Sequence, residues 1–126
     1  MTYLEYETLL QLYTYLMQEK MGQGRFGILS ESVLRSALTR PINAARYENA
    51  DGIRQAAFLY HGLISAHGFT DGNKRIAFLA LAWFMERNNL GHIKADMPEL
   101  IQFGLDAAAG KADVDAVEYW LRNHSE

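Results

Sequence analysis

The sequence contains no cysteine and no excess of basic charge, and each absence excludes a class of function. Without cysteine, the chain forms no disulfide, thiol nucleophile or cysteine-ligated zinc or iron–sulfur centre. The net charge of the 126 residues is −3, and the isoelectric point is near 5.8. A chain of this charge has no general attraction for nucleic acid or an anionic membrane. We therefore expect no direct nucleic-acid binding, although a local basic site is compatible with this composition.

A long hydrophobic run is missing as well. The apolar stretch IAFLALAWFM at residues 76–85 covers only ten residues and lies between Arg75 and Glu86. A helix needs about 20 apolar residues to cross a bilayer. The first ten residues, MTYLEYETLL, carry two acids and no basic segment, unlike a secretory signal. Together with the lack of cysteine, this predicts a cytoplasmic protein that does not enter a membrane.

Apolar residues recur at helical spacing along most of the chain, without a sustained strand pattern. This pattern predicts an all-α fold, a compact bundle of about six helices, in a single domain over residues 1–126. Near the N-terminus, Thr2 and Glu5 have the spacing of a capping box. They predict a first helix that runs to about Met21, where the glycine-rich GQGRFG ends it.

The other helices are predicted from their caps and breaks. Ser30 is the expected N-cap of a second helix that ends at Leu38, because Pro41 follows; residues 42–52 are then a polar connection. The helix after residue 73 is apolar nearly all round, so we expect it in the middle of the bundle. The further predicted helices run from about Ile53 to Ala66, from about Lys74 to Asn88, and from the N-caps Asp96 and Asp113.

A dense polar stretch, HGFTDGNKR at residues 67–75, separates two apolar helical segments. Its two glycines permit backbone conformations that turn amide groups inward, and Asn73 then opens a helix. A helix N-terminus offers unpaired N–H groups and partial positive charge, and both suit phosphate. Lys74 and Arg75 are unfavourable at that end of a helix unless an anion joins them. The stretch therefore predicts a polyphosphate site.

Two side chains of this stretch add catalytic capacity. Histidine is the side-chain type that can take a proton from a hydroxyl near neutral pH, so His67 is the candidate general base. Asp71 is a candidate Mg²⁺ ligand, because magnesium prefers a carboxylate together with phosphate oxygens and water. A base, a metal ligand and an anion site are the parts needed to transfer a phosphorus group from a nucleotide such as ATP.

Plainer interpretations of the same residues stay open. His67 is also explained as a helix cap, Asp71 as part of an ordinary turn, and the basic pair as solvated side chains. His67 and Asp71, with His61, are alternatively zinc ligands. Against zinc stand the lack of a third suitable ligand on the same face and repulsion by the neighbouring basic residues.

The stretch HGFTDGNKR resembles the signature of the Fic/Doc superfamily, HxFx(D/E)GN(G/K)R, and its lysine is similar to the Doc, or death-on-curing, branch. GILSESVLRSALTRP before the stretch and DAAAGKADVDAVEYWLRNH near the C-terminus also resemble segments of Doc-like toxins. The resemblance thus covers nearly the whole chain. It implies a Fic/Doc fold with the catalytic loop between a central helix pair.

Carried over residue by residue, the resemblance implies His67 as the catalytic base and Asp71 as the Mg²⁺ ligand. Phe69 is then the apolar anchor of the loop. Gly68 stands where many members have proline, which is expected to loosen the loop slightly. The residues implied to bind the nucleotide and its phosphates are Gly72, Asn73, Lys74 and Arg75.

Lys74 distinguishes two reactions within the superfamily. In typical Fic proteins a glycine at this position helps to form the hole for a nucleotide whose α-phosphate is attacked, which gives adenylylation. In the Doc branch the resemblance implies an inverted nucleotide and attack at the γ-phosphate. It therefore implies a protein kinase toxin that modifies a threonine of elongation factor Tu and stops translation. An adenylyltransferase that swings Lys74 aside, and an inactive Fic-fold binding module, are the alternatives.

Control by a partner is the last expectation from the sequence. Many Fic proteins silence themselves with a helix carrying [ST]xxxE[GN]; here the only glutamate followed by glycine or asparagine is Glu48, and the residue four before it is Ala44. The resemblance then implies a small, partly disordered antitoxin that folds onto a groove of the bundle. The tyrosines of the predicted first helix, Tyr3, Tyr6, Tyr13 and Tyr15, cover more than one face. One apolar strip among them is a candidate for that groove, and the plainer interpretation is that each tyrosine packs in the bundle or is half exposed.

Overall fold

The computed structural model describes residues 1–19 and 27–126. This part of the chain forms α-helices joined by short connections, with two isolated β-bridges, Ile28 to Phe69 and Ile93 to Ser125. The predicted all-α fold is confirmed. The helices are α1 (Tyr6–Glu19), α2 (Glu31–Glu48), α3 (Gly52–Ala66), α4 (Asn73–Arg87), α5 (Met97–Ala108) and α6 (Val114–Asn123). The predicted end of the first helix at Met21, and most of the glycine-rich segment after it, lie outside the described residues.

Helix α1 begins at Tyr6 and not directly after Thr2. The backbone of Thr2 pairs instead with the side chain of Asn88 at the end of α4. Its N–H donates to Asn88 Oδ1 (2.6 Å), and Asn88 Nδ2 donates to the Thr2 carbonyl (2.9 Å). The predicted capping box of Thr2 and Glu5 is therefore wrong, because a contact distant in sequence holds Thr2 outside the helix.

Helix α2 is longer than predicted, because it continues through Pro41. Proline in a helix interior removes a backbone hydrogen bond and crowds the preceding turn, at a cost of about 3 kcal/mol. In α2 this cost is offset by an apolar face that is buried on both sides of the proline and packs on α3. The face consists of Leu34, Ala37, Leu38, Pro41 and Ala44. The predicted stop at Leu38 and the polar connection over residues 42–52 are therefore wrong.

Helix α3 is the centre of the packing, in contact with α2, α4, α5 and α6. Helix α4 packs on α1, α3 and α5 and buries much of its surface, as its apolar sequence predicts. The connection from α3 to α4 contains the polar stretch. This stretch is therefore held between two core helices whose ends are fixed by the bundle.

The N-caps of the last two helices are Asp96 and Asp113, as predicted. Arg54 of α3 donates to Asp115 (2.8 Å) and Glu118 (2.6 Å), which ties α6 to the bundle. A column of stacked rings runs through the same region and consists of Tyr60, Phe103, Trp120 and His124. Within residues 1–19 and 27–126, every helix is too short or too polar to cross a bilayer.

Candidate active site

The polar stretch begins at the C-terminal end of α3. His67 is the C-cap, and its backbone lies in the left-handed region (φ 48°, ψ 44°). This conformation is uncommon for a residue other than glycine, and it turns the chain abruptly out of the helix. The side chain of His67 is exposed. The predicted base thus lies at the surface, where a hydroxyl of another protein can reach it.

Gly68 fits closely against α2. A β-carbon built at Gly68 would lie 2.4 Å from Leu34 Cδ2, which is closer than real atoms approach. The Gly68 carbonyl accepts hydrogen bonds from the N–H groups of Leu29 (2.7 Å) and Ser30 (3.2 Å). Glycine at this position therefore gives Leu34 its space and connects the loop to the segment that precedes α2.

Phe69 anchors the loop in the core, as predicted. Only 1% of its surface is exposed, and its ring stacks on Tyr13 of α1 with 3.8 Å between the ring centroids. Its neighbour Thr70 donates a backbone hydrogen bond to the Gly27 carbonyl (3.0 Å). Contacts to α1 on one side and to residues 27–30 on the other thus fix the middle of the loop.

Asn73 closes the loop with its side chain. Its Oδ1 accepts from the Phe69 N–H (3.1 Å), and its Nδ2 donates to the Phe69 carbonyl (2.9 Å). The side-chain amide therefore makes both bonds that a paired backbone would make. Asn73 was predicted as a phosphate-binding residue; its side chain is directed to the loop backbone, so a phosphate contact from this residue would use its main-chain N–H.

Asp71 and Gly72 form the junction with α4. The N–H of Gly72 donates to Asp71 Oδ1 (2.8 Å), and the Tyr13 hydroxyl donates to the Asp71 carbonyl (3.0 Å). Gly72 is the N-cap of α4 with φ 82°, a conformation that favours glycine strongly over any other residue. Both residues are therefore set in position before the first turn of α4.

The N-terminus of α4 carries positive charge without compensation from its own first turn. No side chain caps the helix, and its first turn contains no acidic residue. Lys74 and Arg75 are both exposed there. The N–H groups of a first turn have no partner within the helix, so they and the two cations attract an anion to the same point. His67, Asp71 and the first turn of α4 thus lie within nine consecutive residues at the junction of α3 and α4.

A magnesium ion fits this loop and zinc does not. Within the described residues, no group of three histidine, aspartate or glutamate side chains is arranged to hold a metal. His61, the third member of the zinc alternative, faces Arg40 instead, with 3.2 Å between His61 Nδ1 and Arg40 Nη1. Burial and the charge of Arg40 lower the pKa of His61. Magnesium bound with phosphates needs only one protein carboxylate, and Asp71 is the residue of this loop that would hold it.

Sequence reasoning missed two residues that shape the loop, Tyr13 and Leu34. Tyr13 stacks on Phe69 and donates to the Asp71 backbone, across 58 positions in sequence. Leu34 fills the space beside Gly68. Both belong to the apolar faces of their helices, so periodicity marks them as core residues and not as residues that contact the site.

The four tyrosines near the N-terminus differ in their exposure. Tyr6 and Tyr13 are buried. Tyr3 stacks near Phe84 (6.2 Å between centroids), and of the four only Tyr15 is largely exposed, at 60%. The plainer interpretation, that the tyrosines pack in the bundle, therefore holds for Tyr3, Tyr6 and Tyr13, and the position of an antitoxin groove stays a prediction.

Comparison with known families agrees with this geometry. A family model described as the Fic/DOC family matches residues 3–85, which is 83 of the 126 residues and includes the whole polar stretch. The chain therefore belongs to the Fic/Doc family. Members of this family transfer nucleotide or phosphate groups to proteins and use ATP with a divalent metal. A search of curated proteins gives no match.

Proposed function

We propose that this protein is a toxin of the Doc branch that transfers the γ-phosphate of ATP to a threonine hydroxyl of a translation factor. By resemblance to that branch, the proposed target is elongation factor Tu, and the proposed outcome is arrest of translation in the cytoplasm. The observation that supports the proposal most is the start of α4, where an uncapped first turn carries Lys74 and Arg75. A nucleotide polyphosphate matches this concentration of N–H groups and cations.

The proposed reaction needs a base at the acceptor hydroxyl. His67 takes the hydroxyl proton as the threonine oxygen bonds to the γ-phosphorus. The bond from the γ-phosphorus to the β–γ bridging oxygen breaks, and ADP leaves with the electron pair. The exposed position of His67 beside a fixed loop suits this role, because a protein hydroxyl can approach it from solvent.

Three groups of the chain bind the phosphates in this proposal. The first-turn N–H groups and Arg75 bind the phosphate oxygens, and Lys74 binds the terminal phosphate. Asp71 holds a Mg²⁺ ion, which would neutralise the developing charge on the phosphate oxygens when bound. Asn73 supports the phosphate-binding groups and Asp71 by fixing the loop backbone at Phe69.

Lys74 favours the kinase over an adenylyltransferase. A lysine beside the anion site adds a point charge that suits the most highly charged end of the nucleotide. A glycine there would instead leave room for the α-phosphate. We therefore propose that the γ-phosphate, and not AMP, reaches the target.

The proposed toxin needs an inhibitor from outside the chain. The self-inhibitory motif [ST]xxxE[GN] is absent from the sequence. We propose a small, partly disordered antitoxin that folds on binding, as the Doc branch implies. Co-expression tests this: one of the reading frames that adjoin the gene should abolish the growth arrest that the chain causes alone, and the proposal fails if none does.

Label transfer tests the reaction directly. Purified protein, elongation factor Tu and Mg²⁺ are incubated with ATP labelled at the γ-phosphate or at the α-phosphate, with His67→Asn and Lys74→Gly as variants. Label from the γ-position alone, lost with His67→Asn, is the expected result. Label from the α-position would replace the kinase by an adenylyltransferase. Absence of label from both, with normal folding, would favour a binding module.

A further inference from the structure

The ring of Phe58 on α3 has two arginines over it, and the two differ in their electrostatic partners. The Arg54 guanidinium lies 5.2 Å from the ring centroid, and that of Arg40, which comes from α2, lies 5.3 Å from it. Arg54 forms ion pairs with three carboxylates, those of Glu48, Asp115 and Glu118. Within residues 1–19 and 27–126, Arg40 forms no ion pair, and the sequence of residues 20–26 contains no acid that could supply one.

Arg40 is partly buried against α3. Its Nη1 lies 3.2 Å from His61 Nδ1, and in this part of the chain His61 is the one hydrogen-bond partner of the Arg40 side chain. A β-carbon at Gly62 would lie only 3.0 Å from Arg40 Cδ, so the arginine stem takes the place of a side chain at position 62. Burial lowers the pKa of Arg40, and no carboxylate opposes this effect. A charge taken partly out of water without an opposite charge is unfavourable.

His61 does not offset the charge of Arg40. Arginine only donates hydrogen bonds, so His61 Nδ1 is the acceptor and the ring proton is on Nε2. Burial, and then the charge of Arg40, lower the pKa of His61, while the charge of Asp113 on α6 acts in the opposite direction. His61 is therefore favoured in its neutral form. Among the described residues, its Nε2–H and the other guanidinium N–H groups have no acceptor side chain.

We propose that Arg40 and His61 form a binding site for a carboxylate at the junction of α2 and α3. A guanidinium binds both oxygens of a carboxylate through two parallel N–H groups. A bound carboxylate would give Arg40 the opposite charge that Arg54 already has from its three partners. Both residues of the site are partly exposed on adjacent helices, so an acidic side chain of a partner protein can reach them. The site is separate from residues 67–75 and does not depend on the proposed phosphate transfer.

Nuclear magnetic resonance of the His61 ring tests the proposal. Isotope-labelled protein is titrated with sodium acetate or with a blocked peptide of glutamates, at an ionic strength held constant with sodium chloride. We expect the ring signals of His61 to shift and to saturate with both. A higher affinity for the peptide than for acetate, at equal carboxylate concentration, identifies an acidic protein segment as the source. Binding should also raise the pKa of His61, because a carboxylate favours the charged ring.

Variants of Arg40 separate this site from a general attraction between charges. We expect Arg40→Gln to weaken binding about tenfold, the size of one hydrogen bond between charged groups. Arg40→Lys keeps the charge without the planar guanidinium, so its loss should be smaller. If Arg40→Gln fails to fold by circular dichroism, Arg40→Lys is the variant that tests the proposal. Arg46→Gln is the matched control, because Arg46 is an exposed arginine of the same helix, and it should leave binding unchanged.

The outcomes that overturn the proposal are specific to the site. Shifts of His61 that rise without saturation, or that persist equally in Arg40→Gln, would mean that no carboxylate binds there. Even without ligand, Arg40→Gln should raise the pKa of His61, since the charge that lowers it is gone. An unchanged pKa would show that the two side chains are not coupled. The amides of residues 72–75 report separately on any anion at the start of α4, so failure at Arg40 leaves the proposed function untouched.

Discussion

Helices α4 and α5 begin in opposite ways. At the start of α5, Asp96 Oδ1 accepts from the Glu99 N–H (2.9 Å), and the Glu99 side chain accepts from the Asp96 N–H (3.3 Å). Glu99 also places an acid in the first turn. At the start of α4 the cap is Gly72, without a side-chain hydrogen bond or an acid in the first turn. At the start of α5, nearby side chains thus cap the helix. At the start of α4, no side chain caps the helix, and the exposed residues are Lys74 and Arg75.

The other capped helices follow the pattern of α5. Ser30, Asp51 and Asp113 each accept a hydrogen bond from a backbone N–H in the first turn of α2, α3 and α6. A cap contributes about 1 kcal/mol, and acids in the first turn add several tenths. Helix α4 has neither a side-chain cap nor an acid in its first turn, whereas α2, α5 and α6 have both. The difference supports the proposal that the start of α4 binds a phosphate ligand.

The largest expected effect is on catalysis at the loop before α4. We expect His67→Asn to lower phosphate transfer about 10²- to 10⁴-fold, because the general base is lost. Asparagine tolerates the left-handed backbone of this position, so the fold should persist. The transfer rate and the circular dichroism spectrum are measured together. Transfer at more than a tenth of the wild-type rate would exclude His67 as the base.

Removing the Asn73 side chain, which clamps the loop through two hydrogen bonds to the Phe69 backbone, should cost the most stability. Asn73→Ala deletes both hydrogen bonds to the partly buried backbone of Phe69, which we expect to lower the free energy of unfolding by about 2 kcal/mol. Urea denaturation measures this change. Asn123→Ala is the matched control, because Asn123 is exposed and bonds only to the end of its own helix. Equal effects of the two changes would show that the clamp adds nothing.

The cap of α5 should contribute stability alone. We expect Asp96→Ala to lower the free energy of unfolding by about 1 kcal/mol, because the capping box is broken. Urea denaturation gives the loss, and calorimetry gives the affinity for ATP with Mg²⁺, which should not change. A weaker affinity for ATP would mean that the two helix starts are not independent.

An acid in the first turn of α4 should raise the stability of the protein and weaken its binding of ATP. We expect Lys74→Glu to raise the free energy of unfolding by about 0.5 kcal/mol, since it restores the charge that a helix start favours. The same change should weaken ATP binding, because a carboxylate repels phosphate. The converse change in α5, Glu99→Lys, should lower stability without weakening ATP binding. A loss of stability with Lys74→Glu would contradict the comparison of the two helix starts.

The smallest expected effect is a dependence on pH at a charged cap. Hydrogen bonds from the Arg54 N–H and from Arg122 lower the pKa of Asp51 below its ordinary value of 3.8. The folded state therefore prefers the ionised form. This stability is fully present above about pH 4 and is lost as the pH falls through the lowered pKa. Asp51→Asn keeps a cap but should lose less stability than wild type between pH 5 and pH 3. An identical loss in both proteins would remove Asp51 as the cause.

Local patterns in the sequence were sufficient for much of the fold. The capped starts of α2, α5 and α6 were predicted from Ser30, Asp96 and Asp113 because a cap is a contact between near neighbours. The continuation of α2 through Pro41 was not predicted. Packing on α3 overrides the local rule that a helix ends before a proline. The same holds for Thr2, whose partner Asn88 is 86 positions away.

The candidate site divides in the same way. Its position between α3 and α4 was predicted from the nine consecutive residues 67–75. The support of the loop was not, since the contact between Tyr13 and Asp71 and that between Leu34 and Gly68 join distant helices. The clamp of Asn73 spans only four positions, yet its direction depends on the buried place of Phe69. These contacts depend on tertiary packing, and hydrophobic periodicity alone does not predict them.

The most direct test of the comparison is a titration of the ¹⁵N-labelled protein with ATP and Mg²⁺, followed by amide chemical shifts. The account predicts that the largest shifts belong to Gly72, Asn73, Lys74 and Arg75, while the amides at the start of α5 stay in place. Shifts centred on α5, or spread equally over both helix starts, would contradict the claim that α4 begins as a phosphate site.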